Sequence, residues 1–154
     1  MQNAAGQRES VPALVVRNAE QAAAALRVAD GRRVLLLSAP GAAGFLGPLA
    51  WRALVARAES LVPGAPFDDA LCCGDAPGHA LAALRAGCRL LVLHGACPAF
   101  AQVEAAAEVA GARLLPGRPP AFDAMDLDLR KPGARVKLAQ WLAASPHDSA
   151  AIQR

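Results

Sequence analysis

Tyrosine is absent from this chain of 154 residues, and the aromatic share is only 4%. The 16 basic residues are scattered (Arg17, Arg27, Arg52, Arg57, Arg85, Arg113), with Arg32-Arg33 and Arg130-Lys131 as the only adjacent pairs. Nucleic-acid surfaces combine a basic stripe with aromatic platforms, and both ingredients are missing, so no nucleic-acid partner is expected. The scattered charge reads as a solvated surface. Long apolar runs are missing too. Val34–Leu37 and Leu90–Leu93 are the longest runs of large aliphatic residues, far short of the ~20 residues of a membrane span, so no membrane association is expected. Met1 to Ser10 is polar and lacks the charged-then-apolar pattern of a secretion signal. Lysine occurs only as Lys131 and Lys137, both near the C-terminus, which argues against Schiff-base chemistry at a central strand end. The chain has no Cys-x-x-Cys and no His-x-x-x-His. His94, Cys97, Cys73 and Asp75 therefore lack the usual spacing of metal ligands, and no metal is expected. No cofactor can be named from these residues.

What the sequence does have is apolar: hydrophobic residues make up 55% and charged residues 19%, with a net charge of +3. That is the opposite of the disordered signature, and the length suits one domain with a real core. Alanine supplies much of the apolar fraction, as in Ala22–Ala25 and Ala105–Ala107. Small side chains let helices lie close to a sheet but bury less area per residue, which points to a homo-oligomer. The four cysteines read as free thiols in a chain without an export signal, and the expected compartment is the cytoplasm. Cys72 and Cys73 are adjacent and would point to opposite faces of a strand.

Short β runs alternate with longer helical stretches. Ala13–Val16 is the first predicted strand. A helix follows with Asn18 as N-cap and Gln21 three residues later, and Asp30-Gly31 stops it. Arg33–Ser38 is the clearest strand, because its continuous apolar run suits a parallel strand covered on both faces. Gly47-Pro48 opens a helix whose buried stripe is Trp51, Leu54, Val55, Ala58 and Leu61. Asp69–Cys73 is the third strand. Asp75 is predicted to cap the next helix, with Leu81 and Leu84 facing inward. Leu90–His94 is the fourth strand, Cys97-Pro98 opens a helix carrying Phe100, Val103, Ala107 and Ala110, and Arg113–Leu115 is the fifth strand. Gly117-Arg118-Pro119-Pro120 is an irregular loop. Met125, Leu127 and Leu129 alternate with polar residues, a period-two pattern for an edge strand or arm. Ala134–Ala144 is a final helix with Val136, Leu138, Trp141 and Leu142 as its apolar set. Residues 1–10 and 145–154 read as flexible tails.

This succession predicts a single three-layer α/β domain with a mostly parallel sheet of about five strands, Rossmann-like or flavodoxin-like. Half of a β/α barrel is the alternative. Ligands of open parallel sheets bind beyond the carboxyl ends of the strands, which selects three segments. The first, Ser38 to Gly47, is a glycine-rich loop between strand and helix, the setting of an anion cradle. Its Gly41, Gly44 and Gly47 follow neither the dinucleotide spacing nor the P-loop pattern. The second contains Asp75 and His79, four residues apart and predicted to share a helical face. Asp75 reads either as a helix cap or as a ligand at the sheet edge. The third pairs His94 with Cys97, a thiol whose ionisation a helix N-terminus and a histidine would favour. A phosphorelay receiver is not supported, because Asp68 and Asp69 fall at the start of a strand.

Ala80 to Leu93 looks like the helix-to-strand step of class I pyruvate aldolase barrels. It covers about a tenth of the chain, that family's catalytic lysine has no counterpart, and no function is carried over. The expected function is binding of a small anionic ligand at Ser38, Gly41, Gly44, Gly47, Asp75 and His94. The alternatives are an enzyme using Cys97, His94 or Asp75 or a phosphorylated cofactor, and a structural assembly protein.

Overall fold

The alternation of apolar runs and amphipathic stretches becomes, in a computed structural model describing residues 11–144, a sheet whose paired strands are all parallel. The predicted tails at residues 1–10 and 145–154, and His147, lie outside the described residues. The elements are β1 (Ala13–Val15), α1 (Ala19–Ala29), β2 (Val34–Leu37), α2 (Ala42–Phe45), α3 (Pro48–Leu61) and β3 (Phe67–Cys72). They continue as α4 (Pro77–Arg85), β4 (Leu90–Val92), α5 (Phe100–Val109), β5 (Arg113–Leu115), β6 (Ala121–Asp123) and α6 (Pro132–Ala143). The predicted α/β fold, a parallel sheet flanked by helices, is what the structure shows, with six strands among the described residues. No described helix is long and apolar enough to cross a membrane.

Local chemistry explains the element ends. The Asn18 side chain accepts the Gln21 N–H at 2.7 Å, while the Gln21 side chain turns back to accept the Arg17 N–H at 2.9 Å. One orphan donor of α1 is thereby satisfied, and the chain entering the helix is pinned at Arg17. At its other end Asp30 takes the left-handed conformation at φ 47°. β2 is buried along its whole length, as its unbroken apolar run requires.

The strand order is β5-β4-β3-β2-β1-β6. The first five strands are laid down side by side in one direction, and right-handed crossovers repeated in one direction bring their helices to the same face. The packing agrees. One cluster joins Leu14, Val34, Leu36, Leu71, Leu91 and their same-face neighbours to residues from every helix, including Leu26, Trp51, Leu84, Val103 and Leu138. Fully buried Ala22, Ala58, Ala80, Ala83 and Ala107 let those helices approach closely. The opposite face forms a second cluster (Ala13, Val15, Leu35, Leu37, Ala70, Cys72, Val92) made, among the described residues, from strands alone.

β5 and β6 lie at opposite edges of the sheet, yet only residues 116–120 join them. Crossing a flat sheet of six strands would take about 24 Å at the usual strand spacing, whereas that length of chain reaches at most about 21 Å. The sheet is therefore curled toward its strand-only face, and the connection crosses that face as a strap. The Gly95 N–H donates to the Pro116 carbonyl at 2.8 Å, and Arg118 Nη1 donates to the Ser38 carbonyl at 2.9 Å.

Three local expectations are corrected. The alternating stretch at 125–129 is a run of turns, and the edge strand is Ala121–Asp123 just before it. Asp123 and Asp128 accept the Met125 and Arg130 N–H groups at 2.9 and 3.0 Å, local bonds that compete with a strand ladder. α4 is capped at Ala76 without a side-chain bond and begins at Pro77, so Asp75 stands outside the helix. Within α4, Ala80 and Ala83 face inward beside Leu84, while Leu81 is 36% exposed. Proline at the first helical position moves the start two residues beyond Asp75 and rotates the buried face accordingly.

Candidate functional site

β2, β3 and β4 are neighbours in the middle of the sheet, so the loops that leave their carboxyl ends emerge along one rim. The turn after β2 contains Gly41 at φ 66°, and the turn after β3 contains Gly74 at φ 59°. Both are left-handed conformations that glycine adopts without strain. A Cβ added to Gly74 would lie 3.9 Å from the Gly41 Cα, so the two turns stand side by side. The strap brings Gly117 and Arg118 over them. The result is a 400 Å³ pocket whose polar walls come from Gly41, Cys72, Gly74, Asp75, His94 and Arg118.

The sequence-predicted residues divide on this geometry. Gly41, Asp75 and His94 line the pocket together. Ser38 lies behind its wall, fully buried. Its hydroxyl accepts the Cys72 N–H at 2.8 Å and donates to the Ala39 carbonyl at 3.1 Å, while its carbonyl accepts Arg118. Ser38 thus ties the end of β2 to β3 and to the strap. Gly44 packs against His79, where a Cβ would come within 2.9 Å of the imidazole Cε1, and Gly47 is the N-cap of α3. Neither lines the pocket.

His94 and Cys97 are adjacent in a turn, with the Cys97 N–H donating to the His94 carbonyl at 2.9 Å. Their side chains go different ways. His94 continues the side-chain parity of Leu90 and Val92 into the pocket, whereas Cys97 packs against the helix-side cluster. His94 Nδ1 accepts the Ala96 N–H at 3.3 Å, so in the neutral ring the hydrogen sits on Nε2. Cys73 also belongs to the helix side, so Cys73, Asp75, His94 and Cys97 do not converge. Among the described residues no group of three or more metal-binding side chains gathers.

Two residues that sequence reasoning did not select complete the site. Cys72 ends β3 and faces the pocket, though only 3% exposed. Burial pushes its thiol up, but the N–H groups of Gly41 and Gly74 and the Arg118 guanidinium together bring it below the ordinary thiol range. Its neighbour Cys73 has burial without those donors and is pushed up to about 12. Strand parity signalled Cys72, since it shares a sheet face with Val92 and so with His94. Nothing local signals Arg118, whose place depends on the strap.

A second cavity, of 530 Å³, lies at the amino ends of the strands between Leu35, Leu90, Asp68, Arg89 and Arg113. It is larger, but Asp68 and Arg89 in its lining are engaged elsewhere. Asp68 is held by Arg33 at 2.7 and 3.0 Å, and Arg89 donates to the Ala110 carbonyl at 2.7 Å. The carboxyl-end pocket instead gathers the Arg118 guanidinium, His94 and the two glycine turns around one opening. No protein family, curated protein or solved structure matches the chain.

Proposed function

We propose that the chain binds a small anionic molecule in the carboxyl-end pocket. The observation that carries this reading is one pocket lined by the Gly41 and Gly74 turns, His94 and Arg118, where backbone N–H groups and the guanidinium also draw the Cys72 thiol down against its burial. A place that favours negative charge on sulfur favours it on phosphate or carboxylate oxygen as well. Arg118 supplies formal charge, the two glycine turns supply backbone donors, and His94 presents Nε2–H at the mouth.

The test is a thermal-shift and calorimetric panel of inorganic phosphate, sugar phosphates, nucleotides and small carboxylates. A ligand at ~100 times its dissociation constant adds about 2.7 kcal/mol of stability. Arg118→Gln, which removes a charged hydrogen-bond donor, is expected to weaken binding by about 1.5–3 kcal/mol. A panel in which nothing shifts the folded protein overturns the reading.

Self-association is the companion proposal. Phe45 and Leu49, each 73% exposed, stand close in sequence at the corner between α2 and α3, and a second copy of the chain would cover them. Sedimentation of the chain against Phe45→Asp is the test, with a concentration-independent monomer in both overturning it.

A further inference from the structure

Cys72 is not an isolated cysteine. Its sulfur opens into a cavity shared with a guanidinium, an imidazole and a carboxylate, and Ser38 fixes the geometry by bonding the Cys72 N–H and Arg118 at once. The N–H groups of Gly41 and Gly74, whose turns line the same cavity, favour the ionised sulfur. A carbonyl substrate would need those same donors for its oxyanion, which disfavours acyl transfer. Access is narrow, with only 3% of the residue exposed, which disfavours bulky electrophiles. A small, neutral electrophile that releases an anion fits both constraints: it does not compete for the donors on entry, and Arg118 and the His94 Nε2–H face the charge that develops as it reacts.

We propose that Cys72 is a nucleophilic thiol that reduces small hydroperoxides in the carboxyl-end pocket. The thiol first gives its proton to solvent. The sulfur lone pair then forms an S–O bond to the terminal peroxide oxygen as the O–O bond breaks. The departing hydroxide or alkoxide leaves with the electron pair and takes a proton from solvent, hydrogen-bonded meanwhile by Arg118 and His94. Sulfur is oxidised by two electrons to a sulfenic acid, and the peroxide is reduced to water or an alcohol. Cys97, against the helix-side cluster and outside the pocket, and Cys73, across the sheet, take no part.

This rests on the same pocket as the anion reading, and the two fail separately. The full-length chain is exposed to stoichiometric hydrogen peroxide or tert-butyl hydroperoxide at pH 7, remaining thiols are alkylated, and each cysteine is followed by peptide mass spectrometry. Cys72 is expected to oxidise several-fold faster than Cys97, since a thiol beside a guanidinium carries more of the reactive thiolate at pH 7. Arg118→Gln is expected to slow Cys72 several-fold while leaving Cys97 unchanged. Cys72 staying reduced in the folded chain, or oxidising no faster than Cys97, overturns the proposal even if the ligand panel succeeds. If Arg118→Gln fails to fold, the comparison of Cys72 with Cys97 in the unaltered chain decides alone.

Discussion

Asp68 and Asp69 are neighbours in β3 and meet opposite surroundings. Asp68 pairs with Arg33 where both side chains are about half exposed, and such surface pairs contribute little. Asp69 points under α3, where its Oδ2 accepts the Trp51 Nε1–H at 3.1 Å. Burial pushes its carboxyl up, and the Trp51 bond and Arg52 only partly oppose this. A carboxyl raised on folding contributes stability that is complete below its unfolded value and is lost as pH rises through the folded one. At pH 7 Asp69 is therefore a cost. Asp69→Asn keeps an acceptor for Trp51 and removes the buried charge, so stability at pH 7 is expected to rise on the order of 1 kcal/mol, about 3 °C in Tm. Thermal melts at pH 7 and pH 3 check this. The gain should vanish at pH 3, and an equal gain at both values would refute the burial argument. The sequence showed Trp51 as a core residue through its helical spacing. It did not show that the indole N–H needs a partner from β3, because that depends on which strand lies beneath α3.

At the scale of elements, legibility follows how local the determinant is. α1 has its cap side chain and its left-handed terminator inside one short stretch, and β2 and β5 are bounded by the ends of their apolar runs. These were readable to within a residue or so. The 125–129 stretch misled because alternation is also what two successive aspartate turns produce when Leu127 and Leu129 tuck back toward the core. The carboxyl-end rim was legible since any parallel strand delivers its following loop there. The glycine turns can be tested directly. Gly41 holds φ 66° ahead of α2, where a side chain costs about 1–2 kcal/mol. Gly41→Ala is expected to destabilise by that amount and to raise the Cys72 titration midpoint, as the N–H swings off the sulfur. Urea unfolding read beside site-resolved alkylation separates the effects; a loss of stability with no change at Cys72 would remove Gly41 from the site.

Over the whole molecule, the curled sheet has two interiors that treat neighbouring thiols in opposite ways. The strand-only face beneath the strap carries Cys72, and the helix-side core carries Cys73 and Cys88. Strand alternation already set Cys72 and Cys73 on opposite faces, but Arg118 could not be read locally, because its place follows from β6 lying beyond β1, which no stretch of sequence encodes by itself. The consequence is a stability profile in alkaline solution. Cys73, pushed up to about 12, and Cys88, also raised by burial, contribute stability that is complete below the unfolded thiol value, about 8.5. That contribution is lost as pH climbs toward the folded values. Cys72 is lowered and has the opposite sign, its contribution being present above the unfolded value. Two raised thiols against one lowered leave a net decline. Between pH 8 and pH 11 the Tm is therefore expected to fall, and Cys73→Ala, though starting about 1 kcal/mol lower from its small cavity, should fall less steeply. Cys72→Ser should fall more steeply than the unaltered chain. Parallel curves for all three proteins would mean that the thiols do not sense the two faces differently, and the polarity of the sheet inferred from their burial would have to be abandoned.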